Sequence, residues 1–105
     1  MRHLNWQRML IVTEIVFSKK ATTNLIDQAL FIFNRTQSIE LSDKYLDEMK
    51  AFIVEMLSRF PKSGRPSDDI APSTRKLVYQ GYSIIYKISK DQIEILTIYR
   101  ENLPK

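Results

Sequence analysis

The chain contains 105 residues, the size of a single domain, and its 44% hydrophobic and 27% charged residues exclude a disordered or collagen-like polymer. It has no cysteine, which excludes disulfides, thiolate nucleophiles and cysteine metal sites and suits a reducing cytoplasm. The net charge of +4 is too mild to indicate a nucleic-acid partner by itself.

Charge is distributed unevenly along the chain. The net charge is +3 over residues 1–20, −3 over 21–58, +3 over 59–76 and +1 over 77–105. A basic surface that meets phosphates would explain the positive blocks, but a solvated surface of mixed charge explains them as well.

The first predicted element is a strand at residues 11–17, where β-branched residues and Phe are enriched. The apolar stretch around it is far shorter than the roughly 20 residues that a membrane span needs, and no small-residue cleavage signal follows it. We therefore expect neither membrane insertion nor export.

Ser18 is placed to cap a helix over residues 21–35. The predicted buried stripe of this helix consists of Leu25, Ile26, Ala29, Leu30 and Phe33. Phe31 and Ile32 lie off the stripe, where they either widen the core-facing side or form an apolar patch for a partner.

A longer helix is predicted over residues 39–60, about 33 Å at 1.5 Å per residue. Its apolar face consists of Tyr45, Leu46, Met49, Phe52, Ile53, Met56, Leu57 and Phe60. Methionine and aromatic side chains in such a stripe are typical of core filling. The carboxylates Asp43, Asp47 and Glu48 lie off it, so they indicate a solvated face and not a metal site.

A connector follows at residues 61–74, with the sequence "FPKSGRP" at its start. It contains three of the four prolines and one of the two glycines, Gly64. Glycine adopts the left-handed conformation without a Cβ clash, so we expect Gly64 to turn the chain after the second helix.

The last third predicts a three-stranded meander, with two-residue turns at 80–81 and 90–91. In this register Ile88 faces Ile93, Lys87 faces Glu94, Tyr86 faces Ile95, and Ile85 faces Leu96. The face toward the helices then holds Tyr82, Ile84, Tyr86, Ile88, Ile93, Ile95 and Tyr99. The open face holds Lys76, Ser83, Ile85, Lys87, Leu96, Ile98 and Arg100.

These elements predict an α+β domain of order β-α-α-β-β-β, with a small antiparallel sheet packed against a two-helix hairpin. The order resembles the RelE/ParE toxins of bacterial type II toxin-antitoxin systems. The resemblance covers residues 13–100 and includes "FSKKATTNL", "FPKSGRP", Arg75, "GYSIIYKI" and "IEILTIYR". Since it begins at the first strand, we expect residues 1–8 to be an N-terminal extension and residues 9–105 to form a single toxin domain.

The family implies two alternative activities: ParE-type members poison DNA gyrase, and RelE-type members cut messenger RNA on the ribosome. RelE-type toxins usually carry arginine after the aromatic residue of the middle strand, where this chain has Ser83 after Tyr82. Serine cannot supply the cation that stabilises charge at a scissile phosphate. The departure favours a ParE-like gyrase inhibitor, with a RelE-like ribonuclease as the alternative.

The resemblance also implies site residues. Arg65, Arg75 and Arg100 are predicted to bind the target, although solubility alone would explain the first two. A ribonuclease would have to use Lys76, Lys87, Tyr99 and Arg100, although solvated cross-strand charges and a core tyrosine compete with that interpretation. Tyr99 matches a position where the family often has histidine or tyrosine, whereas the one histidine, His3, lies upstream of the resemblance and is expected at the surface.

The implied partners are a cognate antitoxin and DNA gyrase, or the ribosome with messenger RNA, in the cytoplasm. The antitoxin is expected to bind Phe31, Ile32, Asp47 and Glu48 as an amphipathic segment or an added strand, and to mediate oligomerisation. No cofactor or metal is expected. A small RNA-binding module is a further alternative, but its open sheet face lacks a paired aromatic platform.

Overall fold

The computed structural model describes residues 14–100, so the predicted extension at residues 1–8 lies outside the described part. The elements are β1 Glu14–Phe17, α1 Lys19–Thr36, α2 Ile39–Arg59, β2 Arg65–Pro66, β3 Arg75–Tyr79, β4 Tyr82–Ile88 and β5 Gln92–Arg100. This confirms the α+β class and the predicted element order, with one additional two-residue strand in the connector.

All five strands form one sheet in the order β1-β5-β4-β3-β2. The pairs β2–β3, β3–β4 and β4–β5 are antiparallel, and β1 runs parallel to β5. The long connection that a parallel pair requires contains both helices and the strands β2, β3 and β4. The sheet is therefore mixed, with β1 as its one parallel strand in the described part of the chain.

Side-chain caps begin both helices. The Ser18 hydroxyl accepts a hydrogen bond from the Ala21 N–H at 2.9 Å, and the Ser38 hydroxyl accepts one from the Leu41 N–H at 3.1 Å. The predicted cap at Ser18 is confirmed.

Between residues 14 and 100, neither helix combines the length and apolarity that crossing a bilayer requires.

The core lies between the helical hairpin and one face of the sheet. Its buried members are Ala21, Leu25, Met49, Ile53, Leu57, Leu77, Ile84, Tyr86, Ile93, Ile95 and Ile98. Phe52 of α2 stacks on Tyr79 of β3 with 3.8 Å between ring centroids. The predicted stripe of the second helix is thus largely confirmed, except that Phe60 follows the helix and is exposed.

The predicted stripe of the first helix is buried only at its N-terminal end. Leu25 is buried, whereas Ile26 and Leu30 are about half exposed. The helix α1 runs alongside β5 and contacts the sheet as far as the end of that strand. Near its start, the Ser18 N–H donates to the Ile95 carbonyl. Further along, Gln28 accepts from the hydroxyl of Tyr82, which pairs with Arg100 at the end of β5. Residues 29–41, here called the hairpin tip, contain no buried side chain.

A β-bulge changes the predicted register of the last hairpin. The pairs from Ile88–Ile93 to Tyr86–Ile95 are confirmed, but Ile85 pairs with Thr97, so Leu96 is the extra residue. Because one inserted residue reverses the facing of all that follow, Ile98 joins the core, Arg100 lies opposite Tyr82, and Tyr99 lies opposite Ser83. The predicted faces of Ile98, Tyr99 and Arg100 were therefore wrong.

Gly64 does not adopt the predicted left-handed conformation, since its φ is not positive. It is required by close packing, because a Cβ there would lie 2.8 Å from the Lys76 carbonyl oxygen and 2.8 Å from Tyr86 Cε1. The left-handed residue after a helix is Gln37, with φ of 60°, and the predicted turn at Gln80-Gly81 has positive φ at both residues.

Candidate functional site

Two predicted target-binding arginines lie at the β2–β3 edge of the sheet. Arg65 pairs with Lys76, and Arg75 pairs with Pro66 on one side and Tyr86 on the other. The Arg65 guanidinium donates to the Pro66 carbonyl at 2.9 Å and lies 3.8 Å from an Asp69 carboxylate oxygen. The side chain of Arg65 remains about half exposed, so its cationic end is accessible.

The third predicted arginine, Arg100, lies at the other end of the β4–β5 ladder. It pairs with Tyr82, four residues before Tyr86, so it is about 13 Å along the strand from Arg75. The Arg100 Cζ atom lies 5.9 Å from the Tyr82 ring centroid, within cation–π range. Among residues 14–100 it forms no ion pair. The predicted target residues therefore do not share one surface: Arg65, which pairs with Lys76, lies on the opposite face of the sheet from its neighbour Arg75, and Arg100 lies on the face of Arg75 but at a distance from it.

Arg100 shares a groove of about 400 Å³ with a predicted antitoxin residue. The groove is lined by Asn24, Asp27, Gln28, Phe31, Ile98, Tyr99 and Arg100. Phe31 is 46% exposed, and the Arg35 Cζ atom lies 5.6 Å from its ring centroid. A molecule that covers Phe31 here also reaches Arg100.

The other predicted antitoxin residues lie elsewhere on the hairpin. Ile32 is half-buried, and Asp47 and Glu48 are exposed on α2. Glu48 is 4.0 Å from the Lys44 ammonium, and both side chains are well exposed, so this pair contributes little to stability. Asp47 and Glu48 thus remain available as surface charges.

A second apolar groove, of about 370 Å³, runs between α1 and α2 at the hairpin tip. It is lined by Ile26, Ala29, Leu30, Phe33, Ile39, Ser42, Asp43 and Leu46. Ile26 and Leu30 were predicted to lie in the core, so this surface was not predicted. The sequence feature that could have indicated this surface is the width of the apolar face of α1. That face is wider than one face of the sheet can cover.

Of the residues proposed for a ribonuclease, Lys76, Lys87 and Tyr99 lie along the face of the sheet that carries Ser83, and Arg100 does not. Tyr99 pairs with Ser83, whereas Lys87, opposite Glu94, is four residues, or about 13 Å, further along β4. Lys76 faces the buried Ile85 between them. Ser83 is itself completely buried, and Arg100 lies on the opposite face.

The Asn24 side chain hydrogen-bonds the edge of β5 beyond the point where β1 ends. Its side-chain oxygen accepts from the Ile98 N–H and from the Thr97 hydroxyl, both at 3.0 Å. Ser18 bonds the carbonyls of Ile95 and Leu96 with its N–H and its hydroxyl. Side chains therefore occupy this edge where a further strand would otherwise pair. The role of Asn24 could not be predicted, because no sequence pattern indicates the partner of an asparagine in the middle of a helix.

Two tyrosines have perturbed hydroxyls. Burial raises the pKa of Tyr45, whose ring lies 5.8 Å from that of Tyr82 and whose buried hydroxyl has no hydrogen-bond partner. Burial also raises the pKa of Tyr86.

No group of three or more metal-ligating side chains occurs between residues 14 and 100. The charged groups of the site are therefore its arginines, lysines and carboxylates.

Comparisons with known proteins match this chain to one family model and to one solved fold. Residues 15–102 match the family described as ParE toxin of type II toxin-antitoxin system, parDE. A solved structure titled "Chromosomal ParDE TA system from P. aeruginosa" contains a chain with a similar fold, at a TM-score of 0.69 and 19% sequence identity. The alignment covers 87% of this chain and 98% of that chain, and at this identity it establishes the fold. A search among curated sequences found no significant match.

Proposed function

Because the chain belongs to the ParE toxins of type II toxin-antitoxin systems, we propose that it inhibits DNA gyrase and is neutralised by a cognate antitoxin. The observation that carries the choice of target is the sheet face around Ser83. A ribonuclease needs cations converging where charge develops on the phosphate. Here the central residue is a buried serine, and Arg100 lies on the other face.

Gyrase contact is assigned to the accessible arginines. Arg65 and Arg75 present charge at the β2–β3 edge, and Arg100 presents it in the groove beside Phe31. Planar guanidinium groups suit bidentate contact with carboxylates or phosphates. The cytoplasm is the compartment that this target requires.

The antitoxin is assigned to the hairpin tip and its two grooves. An amphipathic helix would place apolar side chains against Leu30 and Ile39 in the groove between the helices. The exposed carboxylates Asp47 and Glu48 favour basic residues on that segment. Strand addition is disfavoured at β5, whose edge Asn24 occupies, and would have to use β3 beyond its two-residue pairing with β2.

Occupation of the groove beside Phe31 would also explain neutralisation. The same antitoxin segment would cover Arg100, so the toxin could not present this cation to gyrase while bound. An antitoxin with two such segments would assemble more than one toxin, which is the basis for the proposed oligomer.

The test is gyrase supercoiling in the presence of the purified protein. We expect inhibition with trapped DNA breaks, weakened at least tenfold by alanine at Arg65, Arg75 or Arg100, where loss of a buried-interface charge typically costs 2 kcal/mol or more, at about 1.4 kcal/mol per tenfold. Lys90→Ala, at the exposed β4–β5 turn, is the matched control. Cleavage of messenger RNA on translating ribosomes, abolished by Lys87→Ala, would instead identify a RelE-like ribonuclease.

Antitoxin binding is tested separately. Leu30→Ala is expected to weaken the affinity about tenfold, whereas Val54→Ala, which truncates an exposed apolar residue outside both grooves, should not. Reversing the charges of Asp47 and Glu48 should reduce the affinity at low salt and have less effect at high salt. An affinity that is unchanged by reversal at every salt concentration would exclude the electrostatic contribution.

A further inference from the structure

One buried hydroxyl attaches the first part of the connector, residues 61–64, to the sheet. Tyr86 lies in β4 with no exposed surface, and its hydroxyl accepts a hydrogen bond from the Gly64 N–H at 2.9 Å. The same hydroxyl donates to the Pro61 carbonyl at 2.7 Å. These two bonds hold both ends of residues 61–64 against a single atom of the sheet.

Packing reinforces this attachment. The Gly64 backbone lies so close to the Tyr86 ring and to the Lys76 carbonyl that a Cβ would contact each at 2.8 Å. The next residue is Arg65, which pairs with Lys76 in the ladder. The position of the Arg65 backbone is therefore set by Tyr86 on one side and by β3 on the other.

The Arg65 side chain continues this arrangement outward. Its guanidinium is held by the Pro66 carbonyl at 2.9 Å, and it remains about half exposed. The other backbone bond near the start of the connector, from the Ser63 N–H to the Phe60 carbonyl, is local and does not attach the segment to the sheet. Loss of the Tyr86 hydroxyl would therefore loosen the chain immediately before Arg65.

We propose that Tyr86 is a positioning residue for Arg65, and that its hydroxyl determines where the guanidinium meets the target. The inference rests on the proposed role of Arg65 in gyrase binding and adds to it a residue that has no exposed surface and so does not touch gyrase itself. Positioning groups of this kind reduce the ordering cost that a mobile cation would incur on binding.

The test compares two Tyr-to-Phe variants. Tyr86→Phe keeps the ring and removes both hydrogen bonds, whereas Tyr45→Phe removes a buried hydroxyl that has no partner. We expect Tyr86→Phe to raise the concentration for half-inhibition of gyrase about tenfold, or about 1.4 kcal/mol. Tyr45→Phe should leave it unchanged, and both variants should bind an antitoxin peptide like the wild type.

Double variants separate positioning from a general structural effect. If Tyr86 acts through Arg65, Tyr86→Phe should cause no further loss in an Arg65→Ala background, but it should multiply the loss caused by Arg100→Ala at the distant end of the sheet. Multiplication in both backgrounds, or an equal loss of antitoxin affinity, would overturn the positioning role. The positioning role would also be overturned if Tyr86→Phe inhibited gyrase as well as the wild type does while Arg65→Ala inhibited it less.

Amide hydrogen exchange keeps the two hypotheses distinguishable. The Gly64 N–H should exchange faster in Tyr86→Phe than in the wild type, while amides in the core of α2 stay protected. Unchanged exchange at Gly64 would reject the attachment itself. A wild-type protein without effect on gyrase would reject the proposed function, and with it the target assigned to Arg65, whatever the exchange result.

Discussion

The hairpin tip and the connector reverse the usual association of regular structure with burial. The tip, residues 29–41, is helical except for its turn, yet it contains no buried side chain. The connector, residues 61–74, has a two-residue strand as its regular structure, yet Gly64, Ser67 and Thr74 are buried within it. Regular hydrogen bonding and tertiary attachment are thus separate properties in this fold.

The reason lies in where each segment satisfies its backbone. A helix pairs its N–H and C=O groups internally, so its side chains can remain available to a partner. The connector must find partners elsewhere, and it does so through hydroxyls. Ser67 and Thr74 join their side-chain oxygens at 2.7 Å, the Ser67 N–H donates to the Thr74 carbonyl, and the Thr74 hydroxyl also bonds the Ala71 carbonyl. Because the backbone groups of the connector must find hydrogen-bond partners outside a helix, this irregular segment is attached to the rest of the fold more firmly than the helical hairpin tip is.

The largest difference should appear within α1, between Leu25 and Leu30. Leu25 is 2% exposed and Leu30 is 53% exposed, although both lie on the predicted stripe. Leu25→Ala should lower the free energy of unfolding by about 3 kcal/mol, because it leaves a cavity in the core. Leu30→Ala should lower it by less than about 1 kcal/mol. Urea unfolding measures both, and equal losses would show that the tip is packed as tightly as the base of the helix.

The two glycines separate close packing from backbone strain. Gly64→Ala should cost about 2 kcal/mol, because its Cβ meets backbone and ring atoms that cannot move freely. Gly81 has φ of 84° but no atom within 4 Å of an added Cβ, so Gly81→Ala should cost only about 1 kcal/mol, from the left-handed conformation. Thermal unfolding of the two variants tests the order, and a larger loss at Gly81 would contradict the close packing of the connector.

The sequence predicted the elements better than their burial. The period of α2 identified Met49, Ile53 and Leu57 because a long stripe with one spacing has a single helical solution. The exposure of Leu30 could not be predicted in the same way, since it depends on where the sheet ends relative to the helix. The distinction is set by the length of β5, which is a property of tertiary structure.

The bulge had a signal that the strand pattern obscured. The buried residues Ile93, Ile95 and Ile98 are spaced by two and then by three, which indicates one extra residue between the last two. A strict two-residue alternation assigned Arg100 to the wrong face. The target-binding role of Arg65 and Arg75 was predicted from the resemblance and stays a prediction. Tyr86 was predicted only as a core residue, because its hydrogen bond to Gly64 depends on a loop 22 residues earlier.

Alkaline pH should lower the stability of the fold through Tyr45 and Tyr86. Their pKa values are raised by burial, so the folded protein keeps protons that the unfolded chain, with tyrosine pKa near 10, releases. Stability is therefore complete below about pH 10 and falls above it, by at most about 1.4 kcal/mol per tyrosine at pH 11. Urea unfolding at pH 8 and pH 11 measures the loss, which should be smaller in Tyr45→Phe. Equal stability at the two pH values would contradict the burial of both hydroxyls.

The smallest effect should distinguish the two helix caps, one beside the sheet and one in the hairpin tip. Ser18 accepts from the Ala21 N–H and also donates to the Leu96 carbonyl at 2.9 Å, whereas the Ser38 hydroxyl caps Leu41 and is 3.4 Å from a Glu40 oxygen in an exposed turn. Ser18→Ala should cost about 1.5 kcal/mol and Ser38→Ala about 0.5 kcal/mol, both within the range for lost caps.

The corresponding glycine variants supply the control for this last comparison. Glycine is a tolerated cap residue, so Ser38→Gly should lose only a few tenths of a kcal/mol. Ser18→Gly should lose clearly more, because the hydroxyl bond to β5 is lost whatever the cap does. Chemical unfolding resolves differences of this size when the midpoints are compared at constant slope. If both serines proved equally replaceable by glycine, the Ser18 bond to β5 would contribute nothing, and the base of the hairpin would be attached to the sheet by apolar packing alone.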